Sequence, residues 1–516
     1  MVLPRKIIEI SSDPTVAPRV CQTEGKLGTY VVLSYCSGGD EHPIRSISEI
    51  SNFPATLDLQ SLPSTVADAI EITRRLRYQY LWIRDFHSSE DESGEDASEL
   101  VDIYGRAVLM LSATIGEDAN SGIFHDRHVL YSPALGSNKD RYLRQQLLHW
   151  SLDIEESPLA ARGWAILEKL LAPRIVHFTQ RQMIWECASG YQYEASRVDD
   201  KKVESDNGRE WHRKKVVQPY IENALQNRPK NIEKLDNHAD NIKQLERLEA
   251  WHHCIDEFSS GFLSAPSHKL LAVAPLASAI DDGNMGQYLA GLWSDNIAFG
   301  LAWSRGYALL KPAQEYRAPS WSWASVDGPV QSLALGWPKN MMQDHAQDPG
   351  WINKYQPKLI SYHMVPSNTL KPYGGVLEGS HIVVAGSCVG FQKLSEAFNS
   401  DGKFSLRMVL DQSQMFDCAC CHPRPAEQQE ADSAKFNNEI EHHVCMIVQG
   451  DAWRTGDKWS LDRGFCDLLV LKASPENNSF TRVGFLRIKQ EMFEKSVDLH
   501  SDFDALGWER RELKLI

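Results

Sequence analysis

The chain lacks any apolar run near the ~18–20 residues that a bilayer-crossing helix requires. Its opening, Met1-Val-Leu-Pro-Arg-Lys-Ile-Ile-Glu9, has neither an apolar segment nor a small-residue cleavage site. No membrane span and no secretory leader are expected, and a cytoplasmic protein is. Positive charge is also scarce. Lys and Arg number 54 against 69 Asp and Glu, a formal net charge of -15. Such a chain gains little from counterion release on DNA or RNA and is repelled by anionic lipid, so neither is an expected partner. Cysteine is sparse, ten in 516 residues and scattered, which argues for buried thiols rather than a disulfide framework. There is no Walker phrase, no dinucleotide fingerprint and no Gly-x-Ser-x-Gly elbow, and Gly38-Gly39-Asp40 is too short for a phosphate loop. No internal repeat is visible.

What is present is apolar content of 42% and fifteen tryptophans, several in short polar-aromatic phrases. At about 100–200 residues per domain, the length implies roughly three units. Residues 1–190 alternate in pattern. Lys6–Ile10, Gly28–Tyr35, Tyr80–Ile83 and Val108–Ala113 are β-prone runs. Between them, Leu62-Pro63-Ser64 opens a helix carrying Val66, Ala69, Ile70 and Ile72, and a second helix carries Leu100, Ile103, Tyr104 and Ala107. This alternation predicts an α/β domain with parallel strands. Residues 140–190 read as a helix followed by two strands, Arg174–Phe178 and Met183–Cys187. The charged stretch 191–245 reads as a linker or exposed helix, 246–325 as a helical region, and 326–516 as β-rich with a polar insertion at 411–442.

Other clusters carry less. Cys418-Ala-Cys420-Cys421-His422 with His442-His443 has zinc-type side chains at the spacing of no standard finger, so no metal is expected. His125-Asp126-Arg127 and Trp251-His252-His253 read as structural. Ser320-Trp321-Ser322-Trp323 reads as a strand burying both rings on one face.

Several phrases carry a family resemblance. Tyr30-Val-Val-Leu-Ser-Tyr-Cys-Ser-Gly38, Leu62-Pro-Ser-Thr-Val-Ala-Asp-Ala-Ile70, Tyr80-Leu-Trp-Ile83 and Val101-Asp-Ile-Tyr104 occur in order. Arg162-Gly-Trp164, Glu168, Pro173-Arg174 and Trp185-Glu-Cys187 follow, then Tyr288–Trp293 and Arg317–Ser325. Together they resemble the fungal heterokaryon-incompatibility (HET) family over roughly residues 4–330. Several polar positions depart from the family pattern. Ser37 stands where the family has Trp, Arg84 where it has Asp, His87 for Cys, Glu90 for Gln and Asp96 for Glu.

The resemblance implies a domain similar to Toll/interleukin-receptor-type α/β domains, in proteins that trigger cell death when incompatible fungal cells fuse. Some such domains cleave NAD at the nicotinamide bond through a helix-borne glutamate, which here aligns with the shorter Asp96. A misplacement of about 1 Å can cost roughly 100-fold in rate, so NAD is admitted as a substrate only with that activity weakened or lost. No cofactor is otherwise expected. Tyr35, Arg84, His87 and Asp96 are the candidate catalytic residues, and Ser37, Trp82, Glu90, Trp164 and Glu168 the candidate pocket lining. An altered rim also fits a repurposed enzyme of fungal secondary metabolism. Such an enzyme would be a cofactor-independent cyclase of the pericyclase type, using a shaped aromatic cavity and a carbonyl-polarising donor on a small-molecule terpenoid or polyketide. A non-catalytic interaction protein is the third reading. Oligomeric state is not legible.

Overall fold

The computed structural model describes residues 1–38, 53–84, 97–126, 150–194, 213–226, 238–263, 265–305, 310–332, 356–394, 408–410, 443–450, 453–455, 458–460, 465–474, 478–489 and 507–516. The chain divides into two units. One comprises Met1–Pro229, Gly261–Leu263 and Pro275–Ile280, and the other takes the remainder.

The first unit is built on the β-prone runs of the sequence. Its strands are β1 (Lys6–Glu9), β2 (Arg19–Gln22), β3 (Val31–Ser34), β4 (Ala55–Thr56) and β5 (Tyr80–Ile83), with α1 (Ser64–Arg75) between the last two. Then come α2 (Ala97–Arg106), β6 (Leu109–Ser112), α3 (Trp150–Ile154), α4 (Gly163–Leu171), β7 (Arg174–Phe178), β8 (Met183–Cys187), β9 (Gly190–Tyr193) and α5 (Arg213–Leu225). They form a nine-stranded mixed sheet in the order β4-β2-β1-β5-β3-β6-β7-β8-β9. Its centre, β5-β3-β6-β7, is parallel throughout. The flanking pairs are antiparallel. The expected α/β sheet with parallel strands is therefore present.

Strand alternation sorts side chains between the two faces of this sheet. Val31, Leu33 and Tyr35 join Leu81, Ile83, Leu109 and Leu111 in a core that also holds Val66, Ala69 and Ile70 of α1. The alternate residues on the other face include Trp82, whose ring meets Tyr104 of α2 edge-to-face at 5.3 Å. On this side α4 is anchored at both ends. The Gly163 N–H donates to the Phe262 carbonyl at 2.8 Å. The buried Lys214 ammonium of α5 donates to the Lys169 carbonyl at 2.7 Å and also to that of Ala172, a cation at the negative end of α4. Gln218, one turn further along α5, donates to the Leu170 carbonyl at 3.1 Å.

The second unit contains α6 (His238–Ser259) and the first six residues of α7 (Lys269–Ile280). Short strands follow: β10 (Tyr288–Leu289), β11 (Leu292–Trp293), β12 (Trp303–Arg305), β13 (Lys311–Pro312), β14 (Val326–Asp327) and β15 (Val330–Ser332), with α8 (Ile297–Leu301) before β12. The tryptophan phrases meet here. The Gly291 carbonyl accepts the indole N–H of Trp251 at 3.1 Å and of Trp323 at 3.2 Å. At φ +98° a Cβ on residue 291 would stand 2.4 Å from the Trp323 Nε1, so only glycine brings this carbonyl to both rings. Trp321 and Trp323 are both buried, as expected, but Trp323–Ser325 is a 3-10 turn rather than a strand. The Ser322 hydroxyl accepts the Ala324 N–H, a local hydrogen bond that outcompetes strand pairing.

The β-rich C-terminal region is also observed. It holds β16 (Lys358–His363), β17 (His381–Gly390), β18 (Met408–Leu410), β19 (Val444–Gly450), β20 (Trp453–Thr455), β21 (Lys458–Ser460), β22 (Phe465–Ser474), β23 (Ser479–Lys489) and β24 (Glu509–Leu515). Seven of these form one sheet, β16-β17-β19-β22-β23-β18, with β24 pairing both β17 and β23. Residues 411–442, expected as a polar insertion, lie outside the described residues, as do Cys418–His422. Among the described residues no group of three or more metal-ligating side chains occurs, and no helix is long and apolar enough to cross a membrane.

Candidate functional site

Ligands of open α/β sheets sit beyond the carboxyl ends of the parallel strands, where strand order reverses. Here the reversal is at β3, with β5 on one side and β6 on the other. The sequence changes character at that edge. Apolar Val32, Trp82 and Met110 give way to Ser34, Arg84 and Ser112 on the same face. Ser34 pairs in register with Ser112, and Ser112 with His177. A file of polar side chains thus crosses four adjacent strand ends.

At one end of the file stands Glu168 of α4. Its carboxylate accepts the Ser34 hydroxyl at 2.5 Å and lies 3.9 Å from Arg84 Nη1. Burial pushes the Glu168 carboxyl above the usual carboxylate range, against the pull of Arg84, Ser34, Tyr104 and Arg162. Arg84 itself covers Trp164, its guanidinium carbon 3.6 Å from the ring centre. Trp164 and Glu168 are four residues apart on α4, so one helical face presents both to Arg84.

At the other end, His177 Nε2 is 2.7 Å from Glu186 Oε2, and the pair is almost fully buried. The Thr114 hydroxyl is 3.5 Å from His177 Nδ1 and 3.0 Å from the Ser112 hydroxyl. Burial lowers the His177 imidazole although Glu186 works to raise it. For Glu186 burial acts upward but is outweighed by Lys214 and the His177 hydrogen bond, leaving its carboxyl well below the usual range. The stable arrangement is a neutral imidazole donating Nε2–H to an ionised Glu186 and presenting Nδ1 to the Thr114 hydroxyl.

Of the nine residues singled out in the sequence, Arg84, Trp164 and Glu168 are brought into direct contact. Trp82 is on the same face but is 0% exposed, in the core against Tyr104. The Tyr35 ring packs on the opposite face of the sheet, in the core around α1. What Tyr35 offers this side is its carbonyl, which accepts Arg162 Nη1 at 2.7 Å. Ser37 is half-buried on the loop after β3, beside Gly38, where a Cβ would lie 3.4 Å from Asp118 Cβ. That loop and the one after β6 therefore flank the strand-order reversal. His87, Glu90 and Asp96 lie outside the described residues. Sequence reading did not single out Ser34, Thr114, His177 or Glu186. A histidine and a glutamate within the two β-prone runs were the signal available for the last two, and Glu186 stood inside the quoted phrase Trp185-Glu-Cys187.

Residues 30–168 match the family model described as heterokaryon incompatibility protein (HET). The matched span runs from the residue before β3 to Glu168 and so encloses Ser34, Arg84 and Trp164. His177 and Glu186 lie beyond it, as do the phrases at 288–293 and 317–325. No curated protein matches the chain, and no solved structure does. Over residues 30–168, then, the chain is similar to the heterokaryon-incompatibility (HET) family.

Proposed function

We propose that this heterokaryon-incompatibility-like protein holds a small molecule at the carboxyl ends of β3, β5 and β6, with ancestral NAD cleavage weakened or lost. The observation that carries this reading is the placement of Arg84, 3.6 Å over Trp164 and 3.9 Å from Glu168. Cleavage at the nicotinamide bond builds positive charge on the ribosyl carbon, which a free carboxylate stabilises. In this site the buried carboxylate already faces an internal cation and a serine hydroxyl. A ribosyl cation would gain less from Glu168 and would be repelled by Arg84. The parallel strand order β5-β3-β6-β7, with the first strand inside, supports a Toll/interleukin-receptor-like arrangement of the domain.

Incubation of the purified chain with NAD, following nicotinamide release, tests the proposal. Wild type is expected near the buffer rate, and Arg84→Asp, which restores the acidic residue of the family phrase, is expected to exceed it. Rapid release by wild type that Glu168→Gln abolishes would overturn it. So would toxicity on expression in fungal cells that Asp96→Ala removes.

A second reading is favoured by the same contact. A guanidinium held over a half-buried indole offers N–H donors beside an apolar wall, as a cofactor-independent cyclase needs to polarise a carbonyl. Rate acceleration of a polyene or terpenoid aldehyde cyclisation, reduced in Arg84→Met, is the expected result under that reading. No acceleration by wild type removes it.

A further inference from the structure

We propose that His363 and His381 form a two-imidazole site for a borderline divalent transition metal, with Cu(II) preferred to Ni(II) or Zn(II). The two histidines are directly opposed in the antiparallel pairing of β16 with β17, His363 closing the first strand and His381 opening the second. Opposed residues in an antiparallel pair project from the same face. Their ring centres are 5.5 Å apart and the planes are tilted by 40°, so the two rings are direct neighbours. A metal about 2.0–2.1 Å from each of two imidazole nitrogens puts the ring centres about 5.2 Å apart at a tetrahedral angle and about 4.5 Å apart at a right angle, so the rings must close by about 0.3 Å in the first case and about 1 Å in the second, within reach of side-chain rotation at a strand end.

A second, independent contact prepares one of these rings. His381 Nδ1 is 2.8 Å from the Gly379 carbonyl. A carbonyl oxygen only accepts, so in the neutral tautomer that this contact selects Nδ1 carries the proton and Nε2 the lone pair. Metal-binding histidines are oriented in this way, the non-ligating N–H held by a backbone carbonyl that fixes both tautomer and ring angle. Gly379 is two residues before His381 and has φ +94°, so a turn closed by glycine sets the orientation.

His363 is exposed and His381 half-buried, leaving the remaining coordination positions to water or a small anionic ligand. Neutral imidazole pairs suit Cu(II), Ni(II) and Zn(II) rather than Mg(II) or Ca(II), and the Irving–Williams order places Cu(II) first. β16 stands at the end of the strand order of its sheet, so a metal bridging these two side chains would fasten an outer strand to its neighbour. This site stands independently of the HET-domain reading.

The test uses the full chain and Cu(II) alone, with carbethoxylation of each histidine read by peptide mass spectrometry. This readout resolves the site from the other histidines and cysteines of the chain. At a Cu(II) concentration about ten times the dissociation constant, His363 and His381 should both react roughly tenfold more slowly than without metal. His363→Ala should abolish protection of His381, and His381→Ala that of His363, with metal-free melting temperatures unchanged. If either alanine variant fails to fold, the glutamine variant replaces it. Protection of neither histidine, or of one in the absence of the other, overturns the proposal.

Discussion

The central carbon of the Arg84 guanidinium lies 3.6 Å over the Trp164 ring centre while its Nη1 stands 3.9 Å from the Glu168 carboxylate. Arg84 therefore sits between an aromatic face and a buried anion. Replacing it with methionine keeps the stem packing and removes the charge. The cation–π contact contributes about 0.5–2 kcal/mol. Glu168, already raised by burial, should rise further once Arg84 is gone. A carboxyl raised in the fold binds more protons than in the unfolded chain between 4.5 and its folded value, so stability falls as pH increases through that window and levels off above it. Arg84→Met should widen the window. Urea melts at pH 5 and pH 8 check this: the loss relative to wild type should be larger at pH 8.

Ser34→Ala should cost about 1.5–3 kcal/mol, because the hydroxyl donates at 2.5 Å to a buried carboxylate. In a Glu168→Gln background the cost should be smaller, since the acceptor is then neutral. A double-mutant cycle by denaturant unfolding measures the coupling. A coupling near zero would mean that the two side chains act independently.

The His177–Glu186 pair makes the domain acid-sensitive in two stages. The folded imidazole is lowered from 6.5, so its neutral form contributes stability that is full above 6.5 and lost as pH falls below it. Glu186 is lowered from 4.5, so its contribution is present above 4.5 and lost as pH falls further. His177→Gln should cost about 1.5–3 kcal/mol at neutral pH and remove the first stage while leaving the second. Denaturant melts from pH 7 down to about pH 2 separate them.

Gly261→Ala should displace the start of α4. A Cβ there would stand 2.7 Å from Gly163 Cα and 2.8 Å from its nitrogen, both backbone atoms of the helix that carries Trp164 and Glu168. Overpacking against backbone costs about 1–3 kcal/mol. A drop in melting temperature together with a changed Trp164 fluorescence environment is the expected outcome.

In the second unit, Lys269 is buried, donates to the Val326 carbonyl at 2.6 Å and lies 5.3 Å over the Trp323 ring. Burial, with Arg317 nearby, lowers its ammonium from 10.5 to about 7. Between 7 and 10.5 the unfolded chain binds more protons than the folded one, so wild-type stability should rise with pH across that range. Lys269→Met should be as stable as wild type or more so at pH 6, with its relative advantage shrinking toward pH 9.5. Differential scanning calorimetry at the two pH values decides it.

Much of the scaffold was legible in the sequence. The runs around Val31–Ser34, Tyr80–Ile83 and Leu109–Ser112 are strands, and the Val66, Ala69, Ile70 spacing is a helix, because apolar periodicity reports the face an element buries. The trio Arg84, Trp164 and Glu168 was legible as candidates, since a family phrase names positions. The other half of the polar file was not. Thr114, His177 and Glu186 come from β7, β8 and the residues just after β6, and nothing in one-dimensional spacing says that these strand ends are adjacent. Tyr35 stands one residue after Ser34, yet the period of two sends its ring through to the other face of the sheet.

The sequence by itself determined the alternation of strand and helix, the acidic surface balance and the charge reversal at Arg84. The first two follow from local composition and periodicity, which act within a few residues, and the third from comparison with the family phrase that the sequence resembles. Only the tertiary structure decided what Arg84 meets. Strand order places the ends of β5, β3, β6 and β7 side by side, and the two anchors of α4 set Glu168 over Ser34. Whether a carboxylate is a free catalyst or a paired buried anion depends on groups 134 residues away in the chain, as Ser34 and Glu168 are. That distance is closed by packing and hydrogen bonding, which no local pattern encodes.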